Sequence, residues 1–175
     1  PILAFVSNHT IAPMPIAQDF KYAYDGDQGG MTGGMGSYTM PDGSMPFLKK
    51  SDLEQADEIL RATVAAIEKE TGDEYRGFLY GQFMATADGV KVIEYNVRLG
   101  DPEAINVMAL LDLDTANFFK KIADGDLNTN EATFSPLASI CKYLVPSAYP
   151  TSSNEHVLVD LNEGDIEQAG FSIIY

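Results

Sequence analysis

On an extended segment Glu94, Asn96 and Arg98 fall on one face, because strand side chains alternate with period two. A carboxylate and a carboxamide oxygen about 7 Å apart along such a strand can bracket a hard cation, which takes oxygen ligands. Arg98 adds a planar cationic fork suited to phosphate or carboxylate. A solvated face of an antiparallel sheet shows the same alternation, so the weight of the pattern comes from the residues next in the chain. Gly100-Asp101-Pro102 places an acid and a helix start directly after the polar face, and helix N-termini suit anions. The run Glu94 to Pro102 therefore points to metal-assisted phosphate chemistry.

A second candidate is the stretch Tyr24 to Ser37, YDGDQGGMTGGMGS, with six glycines in fourteen residues and no hydrophobic periodicity. It reads as a backbone-exposing loop. Consecutive amides of Thr32, Gly33, Gly34, Met35 and Gly36 can cradle a phosphate or carboxylate, although a plain surface loop has the same composition. The stretch lacks the Gly-Lys-Ser/Thr ending of a P-loop and the spacing of a dinucleotide fingerprint. Asp25 and Asp27 at its head can orient an amine or a cation, or simply initiate turns. Lys21 just before it can reach an anion, though an isolated lysine is ordinarily solvated. His9 and His156 have no partner motif and read as structural or surface residues, and no Ser-His-Asp or zinc-like Cys/His spacing occurs. Cys141 lies in the apolar run Leu137 to Val145 and reads as a small buried hydrophobe.

These residues need a scaffold, and the sequence supplies one. Ile2 to Ser7 and Met14 to Phe20 read as short strands around Pro13 and Pro15. Ser51-Asp52-Leu53-Glu54 has the form of a capping box. Leu53, Ala56, Leu60, Val64 and Ile67 then paint one apolar helical stripe that Gly72 terminates. Gly77 to Thr86 and Val90 to Val97 form a hairpin around Ala87-Asp88-Gly89. If Asp88-Gly89 is a two-residue turn, Phe83 faces Glu94. If Ala87-Asp88-Gly89 is a three-residue turn with Gly89 left-handed, Gln82 faces Glu94 and Tyr80 faces Asn96. One residue of slip moves the whole face. Asp101-Pro102-Glu103 combines an N-cap, a proline at the first helical position and an acid in the first turn, predicting a helix towards Leu111. A further helix runs from Asp114 to Asp124 and stops at Gly125. Asp126 to Ser135 reads as a polar linker, and Leu137 to Leu144, His156 to Leu161 and Phe171 to Tyr175 as strands of another unit, which sets a domain boundary near Thr133. The expected organisation is residues 1–132 and 133–175.

Composition bounds the partners. Eleven Lys plus Arg against 26 Asp plus Glu leave a net charge of −15 over 175 residues, a field that repels nucleic acid and anionic lipid. It also repels nucleotide phosphates, so handling ATP would call for divalent cations. No stretch reaches the roughly 18 apolar residues of a membrane span, and the start lacks signal-peptide features; a cytoplasmic setting is the expectation. The chain opens and closes on strand-like runs and lacks an initial Met, so both ends read as cut.

Taken together, Gln18-Asp19-Phe20-Lys21 leading into DGDQGGMTGGMGSY, then GFLYG, then KVIEYNVRLGDPEA, closely resemble the second half of the ATP-grasp module of the phosphoribosylamine-glycine ligase (glycinamide ribonucleotide synthetase) family. Order and spacing match over roughly Ile2 to Leu127, and LVPSAYP from Leu144 to Pro150 resembles the entry to that family's C-terminal domain. The resemblance implies an α+β fold, an ATP-grasp-like mixed or antiparallel sheet with packed helices. It implies that ATP phosphorylates the glycine carboxylate and phosphoribosylamine attacks the acyl phosphate, giving glycinamide ribonucleotide, ADP and phosphate in purine biosynthesis. Such a transfer needs positioning and charge neutralisation rather than a protein nucleophile. By motif, Glu94 and Asn96 match ligands of Mg2+ or Mn2+, and Gln82 is a further metal candidate from the neighbouring strand, as the wider ATP-grasp superfamily suggests. Arg98 and Asp101 match the catalytic stretch. Lys21, Asp25, Asp27 and Thr32 to Gly36 match the segment expected to line the substrate pocket. Phe20, Tyr22 and Met31 depart from the His, Arg and Asn usual there, which bears on substrate contacts more than on metal. The upstream nucleotide-gripping segments and N-terminal domain are absent, so the chain alone is expected to be inactive. Another ATP-grasp carboxylate-amine ligase or carboxylase, or a non-catalytic paralogue, would keep the same fold.

Overall fold

The computed structural model describes residues 1–151 and 158–174. Two antiparallel sheets build the larger unit, Pro1–Tyr143. The first contains β1 (Ile2–Ser7), β2 (Thr10–Pro13), β5 (Arg76–Thr86) and β6 (Gly89–Asn96) in the order β2-β1-β5-β6. The second contains β3 (Ala17–Tyr24), β4 (Gln28–Thr39) and β7 (Ser139–Lys142), with β4 central. Three longer helices, α1 (Lys50–Thr71), α2 (Glu103–Leu110) and α3 (Thr115–Asp124), complete the α+β architecture.

Leu3, Ala4, Phe5 and Val6 are all buried, as a strand covered on both faces requires. On one face Ala4, Val6, Ile11 and Leu79 pack with Leu60 and Val64 of α1. On the other, Leu3, Phe5, Ala12, Met14 and Tyr80 pack with Val107 of α2 and Phe118 and Ile122 of α3. Each large apolar side chain buried this way contributes about 1.5–3 kcal/mol. The expected stripe of α1 is its buried face, with Ala56, Leu60 and Val64 inside and Gly72 left-handed at its end. The cap differs: the helix starts at Lys50, and Asp52 accepts from the Lys49 amide at 2.9 Å, two residues before the expected Ser51-Glu54 box. For α3 the expectation holds, with Asp114 accepting from the Asn117 amide and Gly125 closing the helix.

Several expected elements are revised. The expected strand Met14 to Phe20 begins only at Ala17, as β3, and a separate strand, β2, precedes it and ends at Pro13, with Met14, Pro15 and Ile16 between them. The glycine-rich stretch is not a loop: Gln28–Thr39 is the central strand of the second sheet. The expected linker packs instead, with Leu127 buried, a short 3-10 turn at Thr129–Glu131, and Leu111 bridged to Phe134. Because β7 pairs with β4, the first compact unit extends to Tyr143 rather than ending near Thr133. In the second unit, Leu144–Tyr175, the described residues form α4 (Glu163–Gln168) and no strand. Residues 158–161 and 171–174, expected in strands, have no regular structure. His156 and Tyr175 lie outside the described residues. No helix among the described residues is long and apolar enough to cross a membrane.

Candidate functional site

The polar face of β6 takes its register from a compromise between the two expected turns. Thr86 pairs with Gly89 around Ala87-Asp88, and Gly89 is left-handed at φ 91°. The ladder then runs regularly to Phe83 opposite Val92, where Ile93 is inserted as a bulge. Beyond it Gln82 pairs with Glu94 and Tyr80 with Asn96. The bulge thus produces the register that sequence reasoning assigns to a three-residue turn. Glu94, Asn96, Gln82 and Tyr80 share the sheet face that α2 covers further in, while Tyr95 on the opposite face bonds Thr63 of α1 at 2.7 Å.

Asn96 Nδ2 donates to Glu94 Oε1 at 3.1 Å, which leaves the Asn96 carboxamide oxygen available. Glu94 is exposed, whereas Asn96 and Gln82 are half-buried. Among the described residues no group of three or more His, Cys, Asp or Glu side chains is arranged to hold a metal ion. The candidate set is instead one carboxylate and two carboxamides, all hard oxygen donors of the kind Mg2+ and Mn2+ accept. Arg98 does not lie on this strand face: β6 ends at Asn96, the chain bends at Val97 and Arg98, and the exposed guanidinium donates to the Leu99 carbonyl at 2.9 Å.

The turn after β6 also departs from the expected cap. Pro102 occupies the N-cap position of α2, which begins at Glu103, and the Asp101 carboxylate accepts from the Tyr143 hydroxyl. Glu103 is not a solvated first-turn acid. It is 1% exposed, its Oε1 lies 3.0 Å from the Tyr80 hydroxyl, and its Oε2 has no hydrogen-bond partner among the described residues. Tyr80 is 4% exposed and also lies 2.7 Å from Gln82 Oε1. Burial, and then the charges of Glu103, Asp19 and Glu94, push its phenol above the usual range, so it stays a neutral hydroxyl.

The glycine stretch reaches the same place as a bulged strand. Phe20 pairs with Gly36 and Tyr22 with Met31, so residues 32–35 bulge opposite Lys21 alone. Their polar groups are largely engaged: Thr32 Oγ1 donates to the Lys21 carbonyl at 2.9 Å and accepts from the Gly34 amide at 3.1 Å, and Met35 accepts from the Tyr143 amide. Of the row of amides from Thr32 to Gly36, the Gly34 amide is turned onto the Thr32 hydroxyl. What the glycines permit is close approach. A Cβ on Gly34 would stand 2.6 Å from Pro102 Cδ and 3.3 Å from the Asp101 carbonyl, and one on Gly36 would stand 2.5 Å from the Cys141 carbonyl. The bulge thus rests on the turn that ends the polar strand, which unites the two sequence candidates.

Lys21 is not a free solvated cation. It sits 2.7 Å from Asp19, which is 6% exposed, and donates to the Gly33 carbonyl at 3.0 Å. Asp25 and Asp27 are exposed in the hairpin tip, where Asp27 adopts φ 57°, as turn-forming residues do. The structure thus brings Gln82, Glu94 and Asn96 together on one ladder and rests the Thr32 to Gly36 segment, braced by Lys21, on the Asp101-Pro102 turn, while Asp25 and Asp27 stand at the hairpin tip. Tyr80, Glu103, Asp19 and Tyr143 belong to this neighbourhood, although the sequence pattern does not mark them as functional. Glu103 had a legible signal: Glu103, Asn106, Val107 and Leu110 form one helical stripe, and two polar residues on a buried stripe need partners.

Residues 1–104 match the family described as phosphoribosylglycinamide synthetase, ATP-grasp (A) domain. The chain is 51% identical over 99% of its length to phosphoribosylamine-glycine ligase of Methanothermobacter thermautotrophicus, and 46% identical over 98% to that of Thermococcus gammatolerans. It covers 39% and 38% of those relatives. The crystal structure of phosphoribosylamine-glycine ligase from Thermotoga maritima superimposes with a TM-score of 0.68 at 32% identity, over 85% of this chain and 36% of that one.

Proposed function

This chain belongs to the phosphoribosylglycinamide synthetase ATP-grasp (A) domain family, and from that premise we propose that it forms the metal-facing part of the active site of a phosphoribosylamine-glycine ligase. The reaction is carbon-nitrogen ligation in purine biosynthesis, in a cytosolic setting: ATP activates glycine as an acyl phosphate, and the amine of phosphoribosylamine displaces phosphate. The observation that carries this reading is the convergence of Gln82, Glu94 and Asn96 on one ladder with the Asp101-Pro102 turn and the bulge above it.

Glu94, Asn96 and Gln82 would hold Mg2+ or Mn2+. The ion, when bound, neutralises phosphate charge during transfer. Glu94 supplies the anionic ligand, and the two carboxamides supply neutral oxygens that add coordination without further charge. Arg98, just past the end of β6 and anchored to the Leu99 carbonyl, offers its remaining donors to an anionic substrate group. Asp101, its carboxylate held by the Tyr143 hydroxyl and its backbone carbonyl against Gly34, stands at the turn beneath the bulge. Lys21, locked by Asp19, braces Thr32 to Gly36, and this segment with Asp25 and Asp27 lines the approach for the glycine and amine substrates. The remaining length of a full-length ligase supplies the grip on adenine and the rest of the cleft.

A full-length protein containing this chain, given ATP, Mg2+, glycine and freshly prepared phosphoribosylamine, is expected to release ADP only when both co-substrates are present. ADP release that ignores glycine would overturn the reading.

A further inference from the structure

Tyr80 has one hydroxyl proton, and two polar groups lie within its reach: Glu103 Oε1 at 3.0 Å and one end of the Gln82 carboxamide at 2.7 Å. One proton cannot serve both. Glu103 is 1% exposed, and its other oxygen already lacks a hydrogen-bond partner among the described residues. Leaving Oε1 unpaired as well would strand a buried acid, the costliest arrangement available. With Glu103 as a carboxylate, the Tyr80 proton belongs to it. The oxygen and nitrogen of a carboxamide have the same shape, and their assignment follows from the hydrogen bonds around them. The Gln82 atom that meets the phenol oxygen is then the NH2 group, and its carbonyl oxygen turns away from Tyr80. Glu94 is directly opposite Gln82 on the ladder, where cross-strand side chains meet at about 5 Å. Gly100 makes room for the arrangement: a Cβ there would stand 2.6 Å from Glu103 Oε2 and 2.7 Å from Tyr80 Cε2.

We propose that Glu103 is a positioning residue that acts through the Tyr80 hydroxyl to hold the Gln82 carboxamide with its oxygen beside Glu94 and Asn96, completing a three-oxygen cation site. The inference rests on the reading that this face binds a divalent cation. Its direction is specific. A glutamine at 103 can donate to the phenol oxygen, which frees the Tyr80 proton for the Gln82 oxygen and turns that oxygen inward.

The test is Mn2+ affinity of the full-length protein in the presence of ADP, read as free Mn2+ by electron paramagnetic resonance, with thermal unfolding as the check on folding. E103Q is expected to weaken Mn2+ binding about tenfold, the usual scale for losing an outer partner of a metal ligand. Y80F, which keeps the ring and removes the relay, is expected to lose a similar amount and carries the test if E103Q does not fold. A glutamate at 82 presents an oxygen to both sides, so adding E103Q to Q82E is expected to cost less than about twofold. An equal loss from E103Q in both backgrounds, or undiminished affinity in E103Q and Y80F, overturns the relay. E94A separates the two levels: if E94A binds Mn2+ like wild type, or wild type binds none, the cation reading falls and the relay with it. If E94A loses binding while E103Q and Y80F do not, only the relay falls.

Discussion

Glu94 and Glu103 are both carboxylates on the same sequence motif, but one is exposed and the other 1% exposed, and that contrast separates their work. An exposed carboxylate can take a cation directly. A buried one can act only through what it touches, here Tyr80. Residue-scale energetics are equally local at Tyr75, which donates to the Phe78 carbonyl at 2.5 Å and whose phenol burial pushes above its ordinary value. The folded state therefore favours the neutral ring. That stability is fully present below pH about 10, the ordinary tyrosine value, and is lost as pH rises and the unfolded chain ionises first. Y75F is expected to unfold less steeply with pH above about 10 in equilibrium denaturation, while losing about 1 kcal/mol at neutral pH with the hydrogen bond. Single residues were unevenly legible. Period-two spacing exposed Glu94 and Asn96, but Arg98 left the face because the strand ended one residue pair earlier than the pattern implied. Asp19 and Lys21, two apart on β3, carry the same period-two signal, whereas the bond from Lys21 to the Gly33 carbonyl depends on the partner strand.

At the scale of elements, helices were the most readable parts. The stripe of α1 and the caps of α3 rest on neighbours three or four residues apart, so they are encoded locally. The strands were less so. Six glycines suggested a loop, yet pairing on both sides made Gln28–Thr39 the middle strand, because tertiary contacts decide strand status more than propensity does. The hairpin register likewise depended on a bulge at Ile93 that no turn residue announces. The role assigned to the glycines has a paired test. G34A pushes a methyl to 2.6 Å from Pro102 Cδ, whereas no described atom lies within 4 Å of a Cβ on Gly33. G34A is therefore expected to destabilise a full-length protein by about 1–3 kcal/mol, the ordinary cost of overpacking, and G33A by less than about 0.5 kcal/mol, as measured by urea denaturation. Equal effects would remove close approach as the reason for glycine at 34.

For the whole molecule, the net charge of −15 repels phosphate groups, a repulsion that divalent cations would offset. The chain spans about 39% of the length of its first curated relatives. Cation binding should then be visible as global stability. At a hundredfold excess over its dissociation constant, an ion that binds only the folded state adds about 2.7 kcal/mol. In the presence of ADP, Mg2+ is expected to raise the unfolding midpoint of the full-length protein, and N96A to reduce that rise. The metal role of Glu94 is tested most directly by the turnover of E94A in a full-length protein containing this chain, measured as ADP release with ATP, Mg2+, glycine and phosphoribosylamine at saturation. The expected result is a correctly folded protein whose rate falls at least about a hundredfold, in line with the loss of several kcal/mol of transition-state stabilisation. An E94A protein that turns over at the wild-type rate would show that Glu94 holds no catalytic cation.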